Sequence, residues 1–297
     1  MWFAKVMVAW EGTDNAPGFD KATVMADVPS TLPGGSTNMV EGMYRGWDEL
    51  RSVPLGQQSG LRIIVLFTDG ASNGVPANWD GTGTAKSMRT ADFPKNLPDP
   101  DGQTWNNPSI GGLMDTATGV ASPSVGVTPA IWSDKSTTVP GYTLMPTQTL
   151  HTHHRSSGIP TSFPLQTNAL NVNGVAQNSS TRRGLYLDPT LGQYKANVWN
   201  VNNAARNVLE IVSDAARNDN GDYKIRIYTI GMGVLVQYLL GTMPEMPQDI
   251  LKRISNDATS PDFNSSQLEG KYYFAQTAAD VGPAYQGIQN QILRLSR

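Results

Sequence analysis

Residues 61–70, LRIIVLFTDG, constrain the fold more than any other stretch. Ile63, Ile64, Val65, Leu66 and Phe67 form an unbroken apolar run rich in β-branched side chains. A run this short, closed by Asp-Gly, predicts a strand buried on both faces. Thr68 and Asp69 stand where that strand should emerge from its sheet. In open α/β sheets, ligands gather at that carboxyl end. A carboxylate there is suited to chemistry or to metal binding. The competing expectation is a plain strand with an Asp-Gly turn.

The flanking segments supply the partners of such a strand. Residues 3–10, FAKVMVAW, read as a strand. Residues 21–32 have the makings of a short helix that Pro29 would end, and Pro33-Gly34-Gly35 then breaks the chain. Over residues 39–51, Met39, Met43, Trp47 and Leu50 recur at helical spacing, with Ser36, Thr37 or Asn38 available as cap. Residues 197–218 predict a long amphipathic helix marked by Val198, Val201, Ala205, Leu209, Val212 and Ala216. Residues 223–231 alternate as a strand, with Ile225, Ile227 and Thr229 on one face. A short helix follows Pro247 over residues 248–256, and residues 271–275, KYYFA, form another strand. Thr277 and Asp280 make a capping-box variant that opens a last helix. Its expected buried face is Val281, Tyr285, Ile288, Ile292 and Leu295. Strand and helix alternate, which indicates a Rossmann-like, mostly parallel twisted sheet with helices on both faces.

Between residues 75 and 195 the character changes. Gly, Pro, Asn, Ser and Thr dominate, and apolar residues lose any sustained period. The expected organisation is one α/β domain from residues 1–74 and 196–297, interrupted by an insertion of short hairpins or irregular structure over 75–195. Several function classes drop out. The net charge is −3 and no basic stripe is interleaved with aromatics, which argues against nucleic acid. There is no Cys, hence no disulfide framework and no thiolate metal site. The first ten residues are too short to span a bilayer and lack the layout of a signal peptide.

Two separated pieces carry the candidate chemistry. Gly34-Gly35-Ser36-Thr37-Asn38 places a hydroxyl at a helix N-terminus, and Thr68-Asp69-Gly70 lies at the mouth of the central strand. A hard cation such as Mg²⁺ takes oxygen ligands and keeps several waters. One loop hydroxyl and one strand-end carboxylate supply part of that shell, and an open position could accept a carboxylate from a partner protein.

GGSTNMVEGM followed by IIVLFTDG resembles the von Willebrand factor A (vWA) fold, whose metal-ion-dependent adhesion site uses such a Thr and such an Asp. On that resemblance Thr37 and Asp69 take metal-ligand positions. YKIRIYTIGMG resembles the family's fifth strand, and KYYFAQTAADVGPAYQGIQNQI its last strand and helix. TNMVEGMYRGWDEL and the closing ILRLSR are most similar to the C-terminal region of bacterial Tad (tight adherence) pilus-assembly proteins of the TadE/TadG group. The resemblance implies a non-enzymatic adhesion or pilus-assembly module that binds a protein partner. It also implies a membrane anchor in the complete protein and a periplasmic or cell-surface location. One motif departs. The family's Asp-x-Ser-x-Ser should stand farther upstream of Thr37 than the 36 residues that precede it. Glu11-Gly12-Thr13-Asp14-Asn15 imitates it poorly. The expected metal site is therefore incomplete, its Mg²⁺ weakly held or absent, and the chain reads as a fragment or a mis-started frame.

Other motifs compete. Gly70-Ala71-Ser72-Asn73-Gly74 is a literal G-x-S-x-G, the nucleophile-elbow pattern of serine hydrolases, with His151, His153 and His154 downstream. A helix should follow such an elbow, whereas the sequence there predicts a loop. The three histidines could bind a transition metal, although a plain exposed loop is the simpler expectation. Asp80-Gly81-Thr82-Gly83-Thr84 and Asp134-Lys135-Ser136-Thr137-Thr138 copy the acid–hydroxyl pattern without a preceding strand. Nucleotide-binding loops are absent.

Overall fold

The computed structural model describes residues 37–53, 56, 60–78, 110–114, 130–131, 148–150, 158–160, 162–164, 187–188, 193–194, 198–219, 224–238 and 245–295. In chain order the elements are helix α1 (Met39–Ser52), strands β1 (Ile63–Thr68), β2 (Gly74–Asn78), β3 (Ile110–Met114), β4 (Ala130–Ile131), β5 (Gln148–Leu150), β6 (Ser162–Pro164), β7 (Leu187–Asp188) and β8 (Gln193–Tyr194), helix α2 (Val198–Arg217), strand β9 (Arg226–Met232), helix α3 (Pro247–Ile254), strand β10 (Lys271–Ala275) and helix α4 (Ala278–Leu295).

The architecture is α/β and Rossmann-like. β1, β9 and β10 form an open parallel sheet in the order β1-β9-β10. Ile63 pairs with Arg226 and Thr68 with Gly231 on one side of β9; Lys271 pairs with Tyr228 and Ala275 with Met232 on the other. All three strands therefore end at one rim. The last-helix cap forms as expected: the Asp280 carboxylate accepts the Thr277 backbone N–H at 2.9 Å.

Each face of the sheet has its own core. On one face α1, α2 and α3 bury Met43, Trp47, Leu209, Val212, Leu251 and Ile254 against Ile64 and Ile227. On the other, α4 buries Ala284 and Ile288 against Tyr228, Ile230 and Ala275. The period-2 alternation of β9 sorts Ile227 to the first face and Tyr228 to the second. Side chains of the middle of the chain join the three-helix face. Val75, Ile159 and Phe163 are buried in that core, and the Phe163 ring meets Tyr44 edge-on with centroids 6.1 Å apart. Their strands pair antiparallel, β2 with β3, β3 with β4 and β5 with β6.

The three-helix face also holds a buried ionic cluster. Arg253 reaches Glu210 at 2.7 Å and Glu245 at 2.6 Å, and Arg206 reaches Glu245 at 3.1 Å. Burial favours the neutral form of Arg253, but Glu210 and Glu245 outweigh it and hold the guanidinium charged, its pKa raised. At the end of α3, Gly270 lies so close to the Ile227 carbonyl that any Cβ would overlap its oxygen. The loop there is closed by Asp257, whose carboxylate accepts the Tyr272 N–H at 2.8 Å and the Thr259 N–H at 2.7 Å.

Two expectations need correction. β1 is not buried on both faces: Phe67 is 42% exposed, because β1 pairs only with β9 among the described residues and α4 lies over β9 and β10. Tyr285 and Leu295 do not belong to the buried face of α4 either. They are 48% and 45% exposed, while Ala284 takes the core position between Val281 and Ile288. A single helix at the side of a narrow sheet buries only a narrow stripe.

Candidate functional site

The rim where β1, β9 and β10 end collects the candidate residues. Asn38 caps α1, its side-chain oxygen accepting the Glu41 N–H at 3.2 Å. The residue before it, Thr37, is clamped to the loop that follows β1. Its N–H donates to the Asn73 side-chain oxygen at 2.6 Å, and its carbonyl accepts the N–H groups of Asn73 at 3.0 Å and Gly74 at 3.2 Å. Gly74 permits this approach, since a Cβ there would sit 3.3 Å from the Asn38 Cβ. The Thr37 hydroxyl then lies 3.8 Å from where a Gly70 Cβ would be. Thr37 and the exposed Asp69 are thus carried to one rim of one sheet, from segments 32 positions apart.

The neighbouring hydroxyls are spoken for or sealed. Thr68 is buried and its hydroxyl turns back to the Gly70 N–H and carbonyl, 3.3 Å from each. Ser72 is 0% exposed, and its hydroxyl finds no hydrogen-bond partner among the described residues. The next element is β2, not a helix. A nucleophile must reach solvent-borne substrate, so Ser72 lacks both features of a nucleophile elbow.

A hard divalent cation asks for about six oxygens. The described residues offer two at this rim, the Thr37 hydroxyl and the Asp69 carboxylate, with a single negative charge. No group of three or more acidic or histidine side chains able to hold a metal occurs among the described residues. The donor set fits a largely hydrated cation touching the protein at two points; it does not fit a closed cage. His151, His153, His154, the Glu11 to Asn15 motif and the acid–hydroxyl motifs at Asp80 and Asp134 lie outside the described residues.

Sequence reasoning missed Asn73, which fixes Thr37 through both its side chain and its backbone. The signal was present as an Asn inside a Gly-bounded turn, where side-chain to backbone hydrogen bonds are common. It also missed the Arg206, Glu210, Glu245 and Arg253 cluster. Its trace in sequence is the pair Arg206 and Glu210, set among the apolar positions Ala205, Leu209 and Val212 of α2.

No protein-family model matches the chain, and no curated protein matches it. Among solved structures it is similar to the pilus adhesin SpaC of Lactobacillus rhamnosus GG, at a TM-score of 0.35 and 14% identity. The similarity covers 93% of this chain and 21% of that one, so the chain spans about a fifth of the adhesin's length. Among the described residues no helix is long and apolar enough to cross a membrane.

Proposed function

We propose that this chain is a non-enzymatic protein-binding module of the vWA kind, serving surface adhesion or Tad-type pilus assembly, and that it meets its partner at the sheet rim. The observation that carries this reading is the clamp of Thr37 onto the loop 70–74, which holds a hydroxyl beside Gly70 next to the exposed Asp69. A binding surface needs groups fixed before the partner arrives, and three hydrogen bonds fix this one. Thr37 and Asp69 would hold a hydrated Mg²⁺. Such an ion, when bound, supplies a coordination position for a partner carboxylate. A periplasmic or cell-surface location, with a membrane anchor in the complete protein, belongs to the same proposal.

Two measurements test it. Beads coated with the chain are scored for attachment to bacterial and host cell surfaces, beside beads carrying Thr37→Val or Asp69→Ala. Attachment should fall about tenfold in both variants, the loss of roughly 1.4 kcal/mol expected for a charge-assisted contact. Equal attachment by all three chains would remove the rim from the interface. Ester hydrolysis that disappears in Ser72→Ala would overturn the non-enzymatic assignment. Calorimetric titration of Mg²⁺ into the chain, showing weak heat that Asp69→Ala abolishes, supports the two-point cation. Tight binding that survives the substitution argues against it.

A further inference from the structure

The outer edge of β1 is unusual for so apolar a strand. The Arg226 N–H donates to the Arg62 carbonyl at 2.9 Å, which fixes the phase of the ladder. Residues 62, 64, 66 and 68 direct their backbone groups to β9, so Ile63, Val65 and Phe67 direct theirs away from the sheet. The same three side chains share the thinly covered face, Ile63 and Val65 half-buried and Phe67 exposed. An apolar edge with a row of outward backbone donors and acceptors is a template for another strand.

The path of the chain says where that strand comes from. β1 leads through α2 to β9, and β9 through α3 to β10, each step moving the same way across the sheet with its helix on the same face. Both crossovers therefore have one hand, as parallel connections do. α1 packs on that face too, and it leads into β1. A parallel strand preceding α1 keeps the same hand only on the free side of β1. α1 begins at the rim, beside Gly70. A strand parallel to β1 ends at that rim, which leaves residues 11–36 to make the connection.

We infer that residues 3–10, FAKVMVAW, dock in parallel on the free edge of β1 and extend the sheet to four strands. Lys5 is the one charged side chain in that segment, and Ala4, Val6, Val8 and Trp10 alternate on one face of it. The neighbouring strand's side chains would flank Val65 and Phe67. The edge is then an internal seam, not a surface offered to a second copy or to a partner's strand.

The chain contains no Cys, so a cysteine scan is clean. Val65→Cys is paired in turn with Cys at each position from 4 to 9 of the full-length chain, and oxidised in dilute solution. An intramolecular disulfide at one or two adjacent positions of the scan, absent at the rest, is the expected result. Disulfide-linked dimers, or no link at any position, overturn the inference. As a second readout, Val6→Pro removes a ladder donor. Amide exchange at Ile63, Val65 and Phe67 should then quicken at least about tenfold, with β10 unchanged. Unchanged exchange at all three amides counts against the docking, and so does slowing on concentrating the protein.

Discussion

The two faces of the sheet solve the same problem with different means. One carries three helices, a continuous apolar core and an ionic cluster sealed beneath them. The other carries α4 alone, with Phe67, Tyr285 and Leu293 left exposed. The difference shows where stability and function reside. The thick face fixes α1, and α1 fixes Thr37 at the rim. The thin face leaves β1 available at its edge. Buried charge is tolerable on the thick face because Arg206 and Arg253 meet Glu210 and Glu245 in matched pairs.

The largest effect is expected at Arg253. Arg253→Met leaves Glu210 and Glu245 buried with half their counter-charge, and urea unfolding should show a loss of about 3–5 kcal/mol. A loss under about 1 kcal/mol would mean that the cluster does not hold the thick face together. Next comes a matched pair of truncations. Leu209→Ala, enclosed between α1 and the sheet, should cost about 3–5 kcal/mol, and Ile288→Ala on the thin face about 2 kcal/mol, because a one-helix layer can settle into the space. The reverse order would erase the contrast between the faces.

Asp257 gives a smaller effect with a pH signature. Burial pushes its carboxyl up, but the Tyr272 N–H and the Thr259 hydroxyl and N–H pull it further down, so its pKa lies below the ordinary carboxylate value. The folded state then binds fewer protons than the unfolded one. The stabilisation is complete above about pH 4 and is lost as pH falls through the lower native pKa. Asp257→Asn should cost about 1.5–3 kcal/mol at neutral pH and flatten the acid limb, measured as urea midpoints between about pH 2 and 6. An acid limb unchanged in the variant would assign it to other carboxylates. Tyr285→Ala should be the mildest change, within about 0.5 kcal/mol, since the ring is 48% exposed. A larger loss would show that the thin face is covered after all.

Much of this was legible in the sequence because it depends on local period. The spacing of Met39, Met43 and Trp47 gave α1, the alternation in residues 223–231 gave β9 with its end displaced by a residue or more, and KYYFA gave β10 at its observed bounds. The neighbourhood of Thr37 and Asp69 was also foreseeable, since strand ends and the helix start of an α/β sheet converge on one rim. The burial of Ser72 was not, because G-x-S-x-G records composition and not which way the loop turns. Nor was the exposure of Tyr285, whose helical period is satisfied equally well one position round the helix.

The sequence by itself determined which segments are helix and strand, and that their order builds a parallel α/β sheet. Backbone conformation and apolar period act over a few residues, and a few residues suffice to read them. Only the tertiary structure decided that β1 pairs on one side among the described residues, that Asn73 clamps Thr37, and that Glu245 joins Arg206 to Arg253. Those outcomes depend on which distant groups exclude water together, and burial of that kind is a property of the packed chain.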